Sequence, residues 1–144
     1  MWFNPIIASL LRSPFHTLIS GNMMLITVRG RRSGRALTTP VNYVRHEEEL
    51  LVVSFRGRTW WRNLRGGAPV ELLLAGKQRE VVASVAETDS EVVRGLAEVV
   101  GLSASYARPL AMGLDGAGRP KAHDLARAAE EHVIVRLRMK PRSS

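Results

Sequence analysis

Apolar and polar positions alternate along this chain in a way that predicts a protein built mostly of β-strands. Runs of β-branched and other apolar residues are separated by turn-forming segments such as GRRSGR, HEEE and AGK. Near the C-terminus, HVIVRLRM adds a run with clear two-residue periodicity. We therefore expect six strands, at residues 23–29, 36–44, 50–55, 70–74, 79–85 and 132–139.

The connections between successive strands are short, which favours antiparallel pairing. Six antiparallel strands within about 110 residues most readily close into a barrel. The pattern thus predicts a mainly β protein of the α+β class, with flanking helices, in a single domain that spans residues 1–144.

Helical periodicity follows the fifth strand. Asp89 is expected to cap a helix that ends at Gly101 and buries a stripe formed by Val92, Val93, Leu96, Ala97 and Val100. A second helix is expected over Ala122–Glu131. The connection between them, residues 102–121, is long enough to shape or cover a binding site, and a mobile loop is the alternative.

The first 21 residues are predicted to form two short helices before the sheet. Asn-Pro at positions 4 and 5 and Ser-Pro at 13 and 14 are typical helix starts, and Gly21 can end the second helix. The segment lacks the charged start of a signal peptide, and Pro5, Arg12 and Pro14 interrupt the apolar run well short of a membrane span. Its apolar side is expected to pack on the domain, while Trp2 and Phe3 leave peripheral membrane contact as the alternative.

The amino-acid composition limits the kinds of site and ligand that can be expected. The chain has no cysteine, which excludes disulfides and thiolate metal sites and favours a cytoplasmic protein. Its net charge is +8, and residues 29–65 contribute +6 of this, from nine arginines and three glutamates. Only three lysines occur in the whole chain. Because the arginine fork binds phosphate and carboxylate in a bidentate way, this composition indicates an anionic ligand.

The segment GRRSGRALTTP at residues 30–40 is the first candidate anion site. Gly30 and Gly34 permit positive φ angles, so backbone amides and the Ser33 hydroxyl can converge on an oxyanion. Arginines 31, 32 and 35 would add charge. The alternative is an ordinary strand-to-strand turn whose arginines extend into water.

A second arginine group lies in FRGRTWWRNL, residues 55–64. Thr59 is expected to cap a short helix that carries Trp60, Trp61 and Asn63. One of the two adjacent tryptophans should face away from the core, and Trp60 could then wall off a flat ring; core anchoring is the alternative. The four histidines show no metal-ligand spacing, and Ser33 lies in GxxSG rather than in the GxSxG of serine hydrolases.

TVRGRRSGRALTTPVNYV and LLVVSFRGRTWWRNLRGGAPVELLLAG resemble the deazaflavin-dependent nitroreductase and quinone reductase family. GRxSG, TTP and WxxNL, in that order and spacing, carry the resemblance, which covers residues 4–85 well and the last strand more weakly. It implies a fold like the FMN-binding split β-barrel, and coenzyme F-420 rather than FMN as the cofactor. It also implies hydride transfer to an electron-poor conjugated acceptor such as a quinone, an enone or a nitro compound.

The resemblance also suggests site residues. Those implied to hold the phosphate or the glutamyl tail are Arg31, Arg32, Ser33 and Gly34. Those implied to border the ring are Thr39, Pro40, Ser54 and Arg56, and those that complete the pocket are Trp60, Asn63 and Leu64. The substrate side would hold Asn42, Phe55 and Tyr106. Asn42 and Phe55 depart from the tyrosine and serine of well-known family members, and no catalytic residue is assigned.

Two other classes fit parts of the sequence. A split barrel that binds a fatty acid or similar amphiphile without turnover would use the arginines for a carboxylate head. A nucleic-acid binder would explain the charge, but the scarcity of lysine and of spaced aromatics argues against it. The expected partners are the deazaflavin coenzyme and a small hydrophobic acceptor, bound by a monomer or a homodimer.

Overall fold

The structure, a computed structural model, describes residues 22–139, so the expected N-terminal helices lie outside the described residues. One antiparallel sheet holds seven strands in the order β2-β1-β5-β6-β7-β4-β3. The strands are β1 (Met23–Arg29), β2 (Ala36–Asn42), β3 (Val44–His46), β4 (Glu49–Phe55), β5 (Ala68–Leu74), β6 (Lys77–Ala86) and β7 (His132–Arg138).

The expected strand at residues 36–44 is in fact two strands, which raises the count from six to seven. The chain leaves β2 at Asn42 and enters β3 at Val44, with Tyr43 between them. β2 pairs with β1, whereas β3 pairs with β4, so these consecutive strands occupy opposite edges of the sheet. Because one residue joins the two edges, the sheet curls into a half-barrel, and β2 contacts β4.

The concave face of the sheet carries the first core. Directly opposed residues of antiparallel strands share a face, and the pairs Ile26–Leu72 and Val52–Val135 illustrate this. A 3-10 helix, Trp60–Leu64, adds its three buried residues to this core. Side chains from β1, β4, β5, β6 and β7 therefore fill the half-barrel, and the 3-10 helix closes one end.

The convex face carries a second core under two helices, α1 (Asp89–Leu102) and α2 (Ala122–Glu131). The backbone of α1 lies close to β7 at Gly95, where an added Cβ would stand 2.6 Å from Ile134 Cγ1. Glycine thus lets the helix approach the sheet more closely than alanine would.

Both ends of α1 differ by one residue from the prediction of a cap at Asp89 and an end at Gly101. Thr88 is the N-cap, because its hydroxyl accepts the amide hydrogen of Glu91 at 3.4 Å and donates to the Glu91 carboxylate at 2.6 Å. The helix continues through Gly101 to Leu102, whereas α2 has the expected bounds.

The connection between the helices is ordered around a short 3-10 helix, Ala104–Ala107, and a turn centred on Asp115. Asp115 Oδ1 accepts amide hydrogens from Ala117 and Arg119, each at 2.9 Å. Within residues 22–139, no helix is long and apolar enough to cross a bilayer.

Candidate functional site

Eight arginines collect at one end of the half-barrel. β1 and β4 finish there, and β2 and β7 begin there, because neighbouring strands are antiparallel. The turn at residues 30–35 and the 3-10 helix Trp60–Leu64 are attached to these strand ends. We call this region the arginine end; its arginines are Arg29, Arg31, Arg32, Arg35, Arg56, Arg58, Arg62 and Arg65.

The turn at residues 30–35 is built by the residues of its own motif. Gly34 has φ +69°, a left-handed conformation that favours glycine, and its amide donates to Gly30 O at 2.8 Å. A Cβ on Gly30 would lie 2.7 Å from Ser33 Oγ. Ser33 Oγ in turn accepts the amide hydrogen of Arg35 at 3.2 Å. The two glycines and the serine of GRxSG are thus accounted for by the geometry of the turn.

These internal bonds limit what the backbone can offer an anion. The amides of Gly30 and Gly34 donate to backbone carbonyls, that of Arg35 donates to Ser33, and that of Arg31 donates to Asn63. Only the amides of Arg32 and Ser33 are left in this turn without an acceptor among residues 22–139. The turn therefore offers an anion mainly the charge of its arginines.

Arg31 and Asn63 fasten the turn to the 3-10 helix. Asn63 Oδ1 accepts the amide hydrogen of Arg31 at 3.1 Å, and Asn63 Nδ2 donates to Trp60 O at 3.1 Å. The Arg31 guanidinium donates to the carbonyl oxygens of Asn63, at 3.1 Å, and of Arg65. The two motifs singled out in the sequence are therefore in direct contact, and Arg31 is engaged with backbone oxygens.

Both tryptophans of the 3-10 helix are buried, so the prediction that one faces away from the core is wrong. Trp60 is 8% exposed and Trp61 2%. The helix crosses the end of the half-barrel instead of lying on its surface, which places both indoles, with Leu64, in the first core. Thr59 occupies the N-cap, yet its side chain makes no capping hydrogen bond.

Trp61 nevertheless belongs to the arginine end. Its indole N–H donates to Phe55 O at 3.2 Å, and the guanidinium carbons of Arg62 and Arg65 lie 5.8 and 5.2 Å from its ring centroid. These are cation–π distances, so the ring supports two guanidinium groups.

The four residues expected to border the ring do not share one surface. Thr39 is opposed to Ile26, and Ser54 to Val133, so both belong to the concave face. Pro40, next to Thr39, belongs to the convex face. Arg56 extends to the helix layer, where its guanidinium donates to Glu87 O at 2.7 Å and to Ala129 O at 3.1 Å.

The structure also separates the three residues expected on the substrate side. Phe55 lies at the arginine end, is 59% exposed and contacts the His132 ring with 4.7 Å between centroids. Asn42 lies at the far end of β2. Tyr106 is buried in the second core, where burial raises its pKa to about 12. Its hydroxyl finds no hydrogen-bond partner within residues 22–139.

A shallow cavity of about 210 Å³ lies beside the turn, lined by Thr27, Val28, Arg29, Ala36, Pro69, Glu71 and Glu80. None of the expected site residues lines it. Its carboxylates, Glu71 and Glu80, are directly opposed on β5 and β6, which makes it unsuited to an anion. In the described part of the chain, no three His, Cys, Asp or Glu side chains are grouped to hold a metal ion.

Sequence reasoning missed one ion pair at the arginine end, that of Arg65 with Glu87. Arg65 Nη2 lies 2.9 Å from Glu87 Oε1, and Nε lies 3.0 Å from Oε2. The hydrogen bond from Arg65 lowers the pKa of Glu87, and the Coulomb field of Arg65, Arg56 and Arg62 lowers it further. Arg65 directly follows WxxNL in the sequence, but nothing in the sequence connects Glu87 to it.

Comparison with solved structures shows the fold. A protein of unknown function from Agrobacterium tumefaciens matches with a TM-score of 0.55 at 16% identity over 83% of this chain; this chain spans about half (49%) of that protein. An F420-H2 dependent reductase, FDR-A, matches with a TM-score of 0.51 at 16% identity, over 79% of this chain and 92% of that one. The heme storage protein HutZ from Vibrio cholerae matches with a TM-score of 0.51 at 15% identity, over 98% and 92%.

The family follows from the sequence. No curated protein matches the chain significantly. The family model described as F420H(2)-dependent quinone reductase matches residues 13–115, well over half of the chain, and includes both the turn and the 3-10 helix. The fold described above, a mainly antiparallel half-barrel with two helices, agrees with this match. The chain therefore belongs to the F420H(2)-dependent quinone reductase family.

Proposed function

We propose that this protein is a coenzyme F-420-dependent reductase that transfers hydride from the reduced coenzyme to an electron-poor conjugated acceptor. The family supports the coenzyme. The observation that carries the proposal is the arginine end, where two segments from separate parts of the sequence join through Arg31 and Asn63. A quinone, an enone or a nitro compound fits the proposed acceptor class.

The side chains at the arginine end fit the anionic part of this coenzyme. Its phosphodiester and glutamyl tail form an extended anion, which matches several guanidinium groups better than one compact site. Four exposed arginines, Arg32, Arg35, Arg58 and Arg62, make no hydrogen bond or ion pair through their side chains with other described residues. We infer that Arg32 and Arg35, on the fastened turn, hold the phosphate and the start of the tail.

The ring would be bordered by hydroxyl groups and an aromatic surface. Thr39 is half-buried and Ser54 is buried on the concave face, while Phe55 is exposed at the same end as the turn. When bound, the reduced deazaflavin supplies a hydride from its carbon 5. The chain itself has to hold the anionic tail and orient the acceptor. Guanidinium groups fixed near the site also favour negative charge that develops on the acceptor, and no protein nucleophile is needed.

The packing of the half-barrel disfavours one form of the lipid-binding alternative, an acyl chain held inside the barrel; a lipid, like the ring of the coenzyme, would have to bind outside this core. The concave face is filled by large apolar side chains, among which Ile26, Leu50 and Leu72 are fully buried. An acyl chain inside the barrel would have to displace this core, because protein interiors leave little unfilled volume.

Ligand binding by the full-length protein tests the proposal. We would titrate it with oxidised coenzyme F-420 and follow fluorescence, with FMN, hemin and a fatty acid in parallel. The double variant Arg32→Ala, Arg35→Ala should bind F-420 at least roughly ten-fold more weakly, because charge-assisted contacts are lost. Arg94→Ala is the control, since Arg94 is an exposed arginine on α1.

Preference for F-420, weakened by the double variant and unchanged in the control, would support the site. Reduced F-420 would then be assayed against a simple quinone and a cyclic enone. Tighter binding of FMN, hemin or the fatty acid would refute the proposed function, and equal binding of F-420 by the double variant would refute the roles of Arg32 and Arg35.

A further inference from the structure

Arg65 stands beside the proposed anion site with its charge already paired. Two of its nitrogens contact the two oxygens of the Glu87 carboxylate, Nη2 to Oε1 at 2.9 Å and Nε to Oε2 at 3.0 Å. This fork-to-fork geometry is the one in which an arginine binds a phosphate or an external carboxylate. The pair is at the surface, since the Arg65 side chain is 52% exposed and that of Glu87 31% exposed. Glu87 therefore occupies one of the two edges, that of Nε and Nη2, through which Arg65 can bind an anion in this way.

Both partners are fixed by other contacts. The carbonyl oxygen of Arg65 accepts from Arg31, whose amide is held by Asn63, so Arg65 is tied to the turn at residues 30–35. The carbonyl oxygen of Glu87 accepts from Arg56 at 2.7 Å, which ties the start of α1 to the same end of the half-barrel. The carboxylate is thus presented to Arg65 by a backbone that is itself restrained.

We propose that Glu87 acts as an internal competitor of the anionic tail for Arg65 and thereby sets how many guanidinium groups the bound coenzyme can use. The inference rests on the proposed function of the arginine end. The ligand chemistry is that of an extended polycarboxylate, such as the glutamyl tail of F-420. When a tail carboxylate takes the place of Glu87 on Arg65, the carboxylate of Glu87 loses its partner. Binding at this position is therefore weaker than the number of arginines suggests.

Glu87→Gln tests the competition, because glutamine keeps the length and the acceptor oxygen of the side chain but removes its charge. We expect the variant to bind F-420 roughly three-fold more tightly, the range of an exposed charge pair, and to lose affinity more steeply with added salt. A deazaflavin without the phosphate and tail should bind the wild type and the variant equally. Both ligands are titrated by fluorescence into the full-length protein.

A double-mutant cycle shows whether Glu87 acts through Arg65. In an Arg65→Ala background, Glu87→Gln should leave the affinity for F-420 unchanged. Thermal unfolding of all four proteins in the cycle, without ligand, separates competition from a structural role: a structural pair would lower the melting temperature and the affinity for both deazaflavins together.

The outcomes are distinct. Tighter binding of F-420 alone, lost in the Arg65→Ala background, supports competition. Weaker or unchanged binding of F-420 by Glu87→Gln overturns it, while the proposed function stands as long as the wild type binds F-420. A wild type that does not bind F-420 overturns both.

Discussion

Asn63 accepts the amide hydrogen of Arg31 at 3.1 Å, across 32 positions of sequence, and donates to Trp60 O at the same distance. One side chain thus joins the glycine-serine turn to the 3-10 helix and stabilises the helix itself. The Arg31 guanidinium completes the junction on the carbonyl oxygens of Asn63 and Arg65. The charge of the arginine end is consequently held on a fastened turn.

Asn63→Ala should destabilise the protein by about 1 kcal/mol or more, because two hydrogen bonds are lost and the amide of Arg31 is left without its acceptor. It should also weaken F-420 binding, since the turn is released from the helix. Urea unfolding gives the stability and fluorescence titration the affinity. Asn22→Ala is the control, an exposed asparagine beside the start of β1, and an equal loss there would contradict the role of Asn63.

Gly95→Ala should destabilise the fold by roughly 1–3 kcal/mol, because the new methyl group would overpack against Ile134. Gly101→Ala, in the same helix, is the matched control. No heavy atom lies within 4 Å of a Cβ built there, so that change should stabilise the helix by up to about 1 kcal/mol. Chemical unfolding compares the two, and a Gly95→Ala variant as stable as Gly101→Ala would contradict overpacking between α1 and Ile134.

Tyr106 should make the protein sensitive to alkali. Its pKa is about 12 in the fold against a reference value of 10.0, so the folded state keeps the proton more strongly than the unfolded state does. The contribution of the protonated Tyr106 to stability is fully present below pH 10 and is lost as the pH rises from 10 towards 12. Melting temperatures across this range should fall less for Tyr106→Phe than for the wild type. Tyr43→Phe is the control, and an equal gain there would point away from Tyr106.

Asp124 should make the stability of the protein depend on pH in the acid range, whereas Tyr106 does so in the alkaline range. Its carboxylate accepts the amide hydrogen of Gly113 at 2.8 Å and pairs with Arg127 at 3.1 Å. The backbone hydrogen bond is the main reason that the pKa of Asp124 lies below its usual value of 3.8. Its stabilising effect is present above pH 3.8 and is lost as the pH falls further.

Asp124→Asn should therefore lower the melting temperature at pH 7 and reduce its fall below pH 4. Asp89→Asn, on the exposed first turn of α1, serves as the comparison. A wild type and an Asp124→Asn variant that lose stability in parallel below pH 4 would show that other carboxylates dominate acid unfolding.

Local sequence patterns predicted most of the helices and strands, but they did not predict that residues 36–44 form two strands, β2 and β3. The bounds of β1 and α2 agree with the sequence because alternation or helical periodicity ends there at clear turn signals. The break at Tyr43 is not marked by a glycine or by a run of polar residues, and the β-branched and apolar residues of ALTTPVNYV, residues 36–44, are typical of one strand. Pairing of the two halves with different partners, β1 and β4, produces the break.

The two segments that form the site could be predicted from the sequence, but the contacts between them could not. Spacing and resemblance indicated that the turn and the tryptophan segment belong to one site. The burial of both Trp60 and Trp61 depends on how the 3-10 helix crosses the half-barrel, and Arg65 meets Glu87 only because β6 ends beside that helix. These are tertiary relationships that leave no periodic trace in a single sequence.

The position of β7 in the sheet has a consequence for the order of assembly. It is the last strand of the described chain, yet it lies in the interior of the sheet, between β6 and β4. Until residues 132–138 have left the ribosome, the β3–β4 hairpin has no hydrogen-bonded link to the other four strands. Without β7, the strands β2-β1-β5-β6 and β4-β3 are joined only by the chain at Tyr43, so addition of β7 is the step that completes the sheet.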